Sequence, residues 1–277
     1  MRNSVLVVLG LLLVSSLDPE TGPHENLNAV TWMQQAVEYQ AAVRQTFVAA
    51  TRSLEQTLSL EGEKNRRGVG DDGGRTGVRL PPAIISDLDE TLLDNSPYQA
   101  RLIAEGVSHS SERWRQWVEE KAATALPGAL EFLKRAKELQ VRIYYVSNRS
   151  AEEEPATRAN LASLGFPIAE DYDCVLLKGE QPDWTSDKSS RRKFVAEQNA
   201  VLLLLGDDLG DFVAASISSP KERAEAFARE SERFGRSWFM LPNPSYGSWQ
   251  RVLAGGVNLT RSEQVALERR LLDLRRP

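Results

Sequence analysis

Short apolar runs alternate with helical patterns along the chain from Pro81 onward, and this alternation predicts the fold. Four of the runs are continuously apolar, which is typical of strands that helices cover on both faces of a parallel sheet. The predicted strands are Ala83–Ser86, Val141–Val146, Cys174–Leu177 and Val201–Leu205. The pattern therefore predicts an α/β fold, with a mostly parallel sheet flanked by helices, over about residues 81–255.

Helical patterns fill the intervals between these strands and also precede them. Residues 26–60 repeat apolar positions at helical spacing without Pro or Gly, which predicts one long amphipathic helix as an accessory segment. Residues 96–125 are expected to form a small helical, cap-like insertion that helps to cover a site and to select its substrate. The other predicted helices are Ala129–Gln140, Pro155–Leu164, Ser189–Glu197 and about Lys221–Phe234.

The N-terminal residues 1–18 combine a positive charge with a long apolar run. Arg2 supplies one positive charge, and residues 4–17 are then almost entirely apolar. A run of this length is short for a membrane span and matches the apolar region of an export signal, with a buried core helix as the alternative. We therefore expect residues 1–18 to direct export, either as a cleaved peptide or as an uncleaved anchor. No cysteine lies near position 17 to carry a lipid.

Two further segments lack the pattern of a regular element. Residues 61–80 hold six glycines among clustered charges, which predicts a flexible linker. Residues 256–277 are expected to form a C-terminal tail. The chain is thus predicted to contain an N-terminal apolar segment, a helical accessory segment, a linker, one α/β domain and a tail.

Composition narrows the classes of function. The 277-residue chain has a formal net charge of −5, which argues against nucleic acid as a partner because phosphate backbones require clustered Lys and Arg. Cys174 is the only cysteine, so neither an intramolecular disulfide nor a cysteine-based zinc site can form. His24 and His109 are the only histidines, which makes a histidine-rich metal site or a haem site improbable.

Polar residues follow three of the predicted strands directly. The sequence DLDET begins at Asp87, SNR begins at Ser147, and GDDLGD begins at Gly206. Ligands bind outside the carboxyl ends of the strands in an open parallel sheet. We therefore expect these segments to meet at one place, although a single Asp-x-Asp or Gly-Asp-Asp is more often only a turn.

The spacing of Asp87 and Asp89 suits metal-assisted phosphoryl transfer. Both carboxylates project from the same side of an extended segment, while Leu88 turns into the core. A cation between them relieves their repulsion, and oxygen ligands without nearby Cys or His select Mg²⁺. Asp207 supplies a further carboxylate from a neighbouring strand. The predicted ligands are thus all carboxylates.

The same residues suggest a reaction. In this hypothesis Asp87 attacks phosphorus, while Asp89 protonates the leaving oxygen and later activates water. Lys188 follows the third strand and offsets the negative charge of Asp87 and of the transferring group. Ser147 donates a hydrogen bond to a phosphoryl oxygen.

These motifs resemble the four signature motifs of the haloacid dehalogenase superfamily of phosphohydrolases. They are DLDET, YYVSNR, DKS and GDDLGDF. The longer strings DLDETLLDNSPY, WRQWVEEKAATALPGALEF and FGRSWFMLPNPSYGSWQ are similar to a bacterial acid phosphatase and 5′-nucleotidase group. That group includes the class C acid phosphatases and outer-membrane lipoprotein e. The resemblance covers about residues 27–60 and 81–251 and implies a Rossmann-like sheet with a small helical cap.

The resemblance also implies a role for each motif residue. Asp87 matches the nucleophile and a metal ligand, and Asp89 matches the acid/base, whose backbone carbonyl also binds the metal. The other catalytic positions of the family are matched by Thr91, Ser147 and Lys188, and its remaining metal ligands by Asp207 and Asp211.

Candidate substrate-binding residues complete the predicted site. Members of the family bind a nucleoside with aromatic side chains, so Trp114, Trp117 and Tyr246 are candidates, together with Asn148 and Arg149. Trp114 and Trp117 are three residues apart on one predicted helix face, so simple core packing is the alternative for both.

The expected function is that of a Mg²⁺-dependent acid phosphatase or 5′-nucleotidase that hydrolyses small phosphomonoesters, nucleotides among them. We expect an exported protein, periplasmic or associated with the cell envelope, that binds no nucleic acid and contacts a membrane only through an uncleaved N-terminus. A homodimer is a candidate assembly.

Three alternative functions compete with this expectation. Asp89 disfavours a dehalogenase of the same fold, because dehalogenation needs no acid to protonate an alkoxide. A phosphotransferase differs only in the acceptor and stays open. A non-catalytic surface or haem-binding protein is disfavoured by the scarce histidine and the complete set of acids.

Overall fold

The computed structural model describes residues 26–60, 80–214, 219–257 and 259–272. The export signal predicted over residues 1–18 lies outside the described residues, and so do residues 61–79 of the linker predicted over residues 61–80. Within the described part, no helix combines the length and the apolar character that crossing a membrane requires.

Strands of the described chain form one large sheet and one small one. They are β1 (Pro82–Ser86), β2 (Leu93–Asp94), β3 (Thr124–Ala125), β4 (Arg142–Ser150), β5 (Val175–Lys178), β6 (Ala200–Gly206) and β7 (Trp238–Met240). The large sheet has the order β5-β4-β1-β6-β7, and all of its pairings are parallel. β2 and β3 pair antiparallel. The predicted α/β fold with a parallel sheet is confirmed.

Each of the four strands predicted from apolar runs is present, as β1, β4, β5 and β6. β4 runs on to Ser150 because its pairing with β5 resumes there, at Lys178, after a register shift. β7 was not predicted from the sequence. It has only three residues and is stabilised by its pairing with β6, where Leu204 lies opposite Trp238.

Helices flank the sheet and form the accessory part. They are α1 (Leu27–Gln35), α2 (Val37–Leu60), α3 (Ser96–Glu105), α4 (Ser111–Glu120), α5 (Ala129–Glu138), α6 (Glu154–Ser163), α7 (Ser189–Gln198), α8 (Pro220–Glu230), α9 (Ser248–Leu253) and α10 (Arg261–Leu271). α3 and α4 occupy the predicted insertion, residues 96–125, and the antiparallel pair of β2 and β3 closes its two ends. α10 lies within residues 256–277, where only a tail was expected.

The prediction of one continuous helix over residues 26–60 is wrong at Ala36. Its backbone is extended, with φ −85° and ψ 126°, and this break separates α1 from α2. Alanine favours a helix, so tertiary packing outweighs local propensity here. α1 packs beside α3, while α2 packs on α5, and Trp32 meets Tyr39 edge-on across the break with ring centroids 5.2 Å apart.

α8 ends earlier than predicted. It stops at Glu230 and is followed by a single 3₁₀ turn, Ser231–Arg233, after which Phe234 is extended. The ring of Phe234 then packs 5.5 Å from that of Trp238 and 5.2 Å from that of Phe212. Burial of this aromatic cluster stabilises the extended backbone at Phe234, so the helix ends before that residue.

The accessory helix α2 shares the core of the α/β domain. Its side chains Val43, Phe47 and Leu54 are fully buried, and the Phe47 ring packs 5.9 Å from that of Phe132 on α5. Gly128 precedes α5 with φ +93°, and a Cβ at that position would lie 3.3 Å from the Phe47 side chain. A glycine therefore suits both the backbone and the close approach of α2.

The parallel sheet sets the location of the site. Because all strands of the large sheet run in one direction, the residues that follow β1, β4 and β6 emerge at the same edge. β1 lies between β4 and β6, so the chain connections diverge on its two sides. A crevice forms at such a switch point, outside the carboxyl ends of the strands.

Candidate active site

A cleft of about 1380 Å³ opens at the carboxyl edge of the sheet. Its walls come from the segments after β1, β4 and β6, from α3 and α4, and from the segment that leads into α9. The predicted site residues that line it are Asp87, Asp89, Trp114, Ser147, Asn148, Arg149, Lys188, Asp207, Asp211 and Tyr246. The strand ends therefore bring these residues to one place, as their positions predicted.

A buried lysine joins two of the carboxylates. The Nζ atom of Lys188 lies 2.5 Å from Oδ1 of Asp87 and 2.6 Å from Oδ1 of Asp211, and all three side chains are almost fully buried. Burial alone lowers the pKa of Lys188, but the charges of Asp211 and Asp87 outweigh it and raise that pKa above its ordinary value. The lysine therefore stays charged between the two acids.

The acids Asp87, Asp207 and Asp211 form a compact cluster. Each presents a carboxylate oxygen, and the three oxygens lie within 4.8 Å of one another. Thr91 lies among them, with its Oγ1 3.4 Å from both Asp87 Oδ2 and Asp207 Oδ1. Asn243 donates from Nδ2 to Asp207 Oδ2 at 2.7 Å. The cluster is thus held from several elements.

The charge of this cluster is only partly neutralised. Burial raises the pKa of Asp87 to about 7; the Lys188 ammonium opposes that rise, and Asp211 and Asp89 add to it. Burial also raises the pKa of Asp207 well above its ordinary value, with further contributions from Asp211 and Asp87. Buried like charges with perturbed pKa values in a cleft mark a functional site.

The donor set fits a hard divalent cation. Three carboxylates converge at the distances that a single ion can span, and only one ammonium competes for them. Among the described residues, no sulfur or imidazole belongs to this cluster. Oxygen-only ligands favour Mg²⁺-like ions over softer transition metals. The side chain of Asp89 is not part of the cluster, because it turns to Arg149.

Asp89 and Arg149 form a charged pair beside the acid cluster. Nη2 of Arg149 lies 2.7 Å from Asp89 Oδ1, and Nε lies 3.1 Å from both oxygens. The Arg149 side chain is 1% exposed and that of Asp89 is 14% exposed. The guanidinium of Arg149 is thus occupied by Asp89 and by Oγ1 of Thr157, and its role in substrate binding stays a prediction.

The carboxyl end of β4 is fixed by a second buried arginine. Arg191 on α7 donates to the carbonyl of Ser147, to Oδ1 of Asn148 and to the carbonyl of Thr185. Asn148 in turn donates from Nδ2 to the carbonyl of Ser186 at 3.0 Å. The amide of Asn148 is thus engaged within the protein, which leaves Ser147 as the hydroxyl presented at this strand end.

A buried carboxylate organises the turn after β1. Glu90 adopts a left-handed backbone with φ +55°, an unusual conformation for a residue with a side chain. Its carboxylate accepts hydrogen bonds from the backbone and side chain of Asn95 and from the hydroxyl of Tyr246. Burial raises the pKa of Glu90 to about 8, and the charge of Asp89 adds to the rise.

The three candidate aromatic residues differ in exposure. Trp117 is 2% exposed, does not line the cleft, and donates from Nε1 to Asn95 Oδ1 at 2.8 Å. The prediction that it stacks on a substrate is therefore wrong, and the alternative of core packing applies. Tyr246 lines the cleft, although its hydroxyl is bound to Glu90. Trp114 lines the cleft and is only partly buried.

Several residues of the site were not identified from the sequence. Asn95 and Asn243 donate to the predicted acids Asp89 and Asp207, and Glu90 accepts from Asn95, yet each of the three has an ordinary turn or helix-start context in the sequence. Gly206 was noted only as part of a turn. A Cβ there would lie 2.3–2.5 Å from side-chain atoms of Asp211, so only glycine permits this acid to fold back beneath the strand. Its position immediately before the acids was the available signal.

Comparison with known proteins gives one family. The family model described as "HAD superfamily, subfamily IIIB (Acid phosphatase)" matches residues 19–249. Acid phosphatase 1 of Solanum lycopersicum is 28% identical over 58% of this chain and 57% of its own length. The stem 28 kDa glycoprotein of Glycine max is 25% identical over 61% of each. The matched region thus spans about three fifths of these curated relatives.

Solved structures provide a fuller match. The Class C acid phosphatase from Bacillus anthracis superposes with a TM-score of 0.77 at 31% sequence identity. The match covers 90% of this chain and 96% of that one, and one of its two structures has tungstate bound. The similarity therefore extends over most of both chains.

Proposed function

Since the chain belongs to subfamily IIIB of the HAD superfamily, the acid phosphatases, as its motifs predicted, we propose that it hydrolyses phosphomonoesters through a phospho-aspartyl intermediate on Asp87. The observation that carries this proposal is the buried cluster in which Lys188 joins Asp87 and Asp211, with Asp207 within ligand distance. Such a cluster can hold a nucleophile, a cation and a phosphate together.

In the first half-reaction, Asp87 is the nucleophile. One of its carboxylate oxygens forms a bond to phosphorus while the ester oxygen departs with the electron pair of the broken P–O bond. Asp89 gives that oxygen its proton, so the product leaves as an alcohol. Lys188 stabilises the charge that spreads over the transferring group, and Ser147 donates to one of its oxygens.

In the second half-reaction, Asp89 changes from acid to base. It takes a proton from a water molecule, whose oxygen attacks phosphorus and releases Asp87 as a free carboxylate. Phosphate is the second product. The residue that gave up its proton in the first step therefore recovers one in the second, and the enzyme returns to its starting state.

We propose Mg²⁺ as the cofactor, held by Asp87, Asp207 and Asp211. The metal supplies charge that neutralises the phosphate dianion and lets it approach an anionic nucleophile. The carboxylates favour a cation because Lys188 alone does not balance their charge. The backbone carbonyl of Asp89 stays the predicted further ligand.

We propose small phosphomonoesters, 5′-nucleotides among them, as the substrates. Trp114 lines the cleft and offers a flat ring on which a base can stack. The Bacillus anthracis relative has tungstate bound in one structure, and tungstate is a tetrahedral oxyanion like phosphate. Export to the periplasm or cell envelope and a homodimer stay predictions, as do the absence of a nucleic-acid partner and membrane contact through the N-terminus alone.

The proposal is tested with the chain that lacks residues 1–18, as wild type and as Asp87→Asn. Phosphate release is measured from 5′-nucleotides and p-nitrophenyl phosphate between pH 5 and 8, with Mg²⁺ or with EDTA. We expect metal-dependent release that Asp87→Asn abolishes. If the folded wild type releases no phosphate from any substrate with any divalent metal, the proposal is wrong.

A further inference from the structure

The two oxygens of Asp89 have unequal hydrogen-bond environments. Oδ1 accepts from Arg149 Nη2 at 2.7 Å, from Arg149 Nε at 3.1 Å and from Asn95 Nδ2 at 3.0 Å. Oδ2 shares the Nε donor at 3.1 Å and otherwise accepts only a longer hydrogen bond from Ser147 Oγ, at 3.4 Å. A carboxylic proton on Oδ1 would face three donors, whereas a proton on Oδ2 leaves Oδ1 free to accept from all of them.

Arg149 is itself held in place by its surroundings. Nη1 donates to Thr157 Oγ1 at 3.1 Å, and the backbone N–H donates to Ser147 Oγ at 3.1 Å. The Trp114 ring covers the guanidinium, with Cζ 5.6 Å from the ring centroid. The side chain is 1% exposed. To bind a substrate phosphate, the guanidinium would have to leave both Asp89 and Thr157.

We propose that Arg149 is a positioning residue for Asp89. Together with Asn95 it donates hydrogen bonds to Oδ1, which leaves Oδ2 as the oxygen that carries the proton of the reaction. The inference rests on the proposed function, in which Asp89 is the acid/base. It replaces the role of substrate ligand that the sequence suggested for Arg149.

The proposal assigns the proton to one atom through both half-reactions. When the Asp87–phosphorus bond forms and the phosphorus–ester oxygen bond breaks, the proton moves from Oδ2 to the departing oxygen. When water attacks, its proton returns to Oδ2. Arginine stays protonated throughout, so the orientation of Asp89 does not change as its charge alternates.

The test is the dependence of kcat/KM on the acidity of the leaving group. Alkyl phosphates need protonation of the leaving oxygen, whereas p-nitrophenolate departs readily without it. We expect Arg149→Gln to lower kcat/KM for an alkyl phosphate roughly 100-fold, near the low end of what general acid catalysis contributes. For p-nitrophenyl phosphate we expect a loss below about tenfold, because an unoriented acid matters little there.

Inhibition by tungstate separates this role from phosphate binding. If Arg149 positions Asp89, Arg149→Gln leaves the inhibition constant for tungstate near that of the wild type. If Arg149 binds the phosphoryl group instead, that constant rises and the activity towards both classes of ester falls by the same factor. The second pattern overturns the proposal.

Three further variants make the result decisive. Asp89→Asn combined with Arg149→Gln should be no worse than Asp89→Asn alone, because Arg149 acts through Asp89. Lys193→Met, at an exposed position of α7, touches neither Asp89 nor Arg149 and should keep the wild-type leaving-group dependence. Arg149→Lys retains the charge but not the planar guanidinium donors, so its dependence on the leaving group should lie between those of the wild type and Arg149→Gln. This variant decides the question if Arg149→Gln does not fold.

Failure of this inference and failure of the proposed function look different. Without phosphatase activity, the wild type releases no phosphate from any ester. If the wild type is active but Arg149→Gln and Arg149→Lys keep its leaving-group dependence, Arg149 does not position the acid.

Discussion

The ammonium of Lys188 lies 2.5 Å from Oδ1 of Asp87, although the two residues are 101 positions apart in the chain. The same nitrogen lies 2.6 Å from Asp211. Lys188 directly precedes α7, whereas Asp87 follows β1 and Asp211 lies in the turn after β6. One buried side chain therefore connects three separate segments of the site and fixes the charge next to the nucleophile.

Replacement of this lysine should affect both catalysis and stability. We expect Lys188→Met to lower kcat by roughly 100-fold or more, since one preorganised charge at the transferring group contributes on this scale. The free energy of unfolding should fall by about 3 kcal/mol, because Asp87 and Asp211 lose their buried partner. Steady-state kinetics and urea denaturation give the two values.

The matched control is Lys193→Met, a substitution at an exposed position of the same helix, α7. It should change the free energy of unfolding by less than about 0.5 kcal/mol and leave kcat unchanged. Wild-type kcat in Lys188→Met would contradict the role given to this ammonium.

The two tryptophans of α4 should differ in their effect on substrate preference. Trp114→Leu is expected to raise the KM for a 5′-nucleotide relative to that for a small aliphatic phosphate by roughly fivefold or more, since stacking on a base contributes about 1–3 kcal/mol. Trp117→Phe removes the hydrogen bond to Asn95 and should cost about 1 kcal/mol of stability without changing that KM ratio. KM for both substrates and thermal melting measure this, and equal ratios in the two variants would contradict it.

Stability should depend on pH through Glu180, which lies outside the acid cluster. Burial raises its pKa from 4.5 to about 7; the backbone of Leu177 and the charge of Arg158 oppose the rise, and Glu154 and Asp173 add to it. The folded protein then binds more protons than the unfolded chain between pH 4.5 and 7. The contribution of Glu180 to stability therefore falls as pH rises through this range.

Glu180→Gln should remove this pH-dependent term. The difference in free energy of unfolding between the variant and the wild type is expected to rise from zero near pH 4.5 to about 1 kcal/mol above pH 7. This value is reduced for solvent screening, because Glu180 is partly exposed. Urea denaturation at pH 5 and pH 8 tests it, with Glu170→Gln at an exposed position as the control. A difference that does not change with pH would argue against the assigned cause.

The sequence predicts the strands and the acids for the same reason. Apolar runs such as Val201–Leu205 are buried on both sheet faces, and the first polar residues after them necessarily emerge at the sheet edge. The location of Asp87 and Asp207 can therefore be predicted without knowledge of side-chain packing. β7 is not predictable in this way, because three residues carry too little pattern and depend on β6 for their pairing.

The partners of the predicted residues depend on packing that the sequence does not reveal. Arg149 lies at the carboxyl end of β4, where a phosphate ligand is expected, yet its side chain turns to Asp89. Trp114 and Trp117 share a helix face, but the structure shows that Trp117, which donates a hydrogen bond to Asn95, is the one that is enclosed. The carboxylate of Glu90 accepts a hydrogen bond from Tyr246, which lies 156 positions later in the chain. A local sequence pattern cannot predict a contact between residues so far apart.

The most direct test of the central claim is to trap the phospho-aspartate. The enzyme is mixed with p-nitrophenyl phosphate and Mg²⁺, quenched in acid within milliseconds, and digested with pepsin at low pH, because an acyl phosphate hydrolyses at the alkaline pH that trypsin needs. The peptides that contain Asp87 and Asp89 are then analysed. We predict that mass spectrometry finds one added phosphoryl group on Asp87, and none in Asp87→Asn. Turnover by the wild type with no phosphorylated peptide at any quench time, or with phosphate on another residue, would contradict the account.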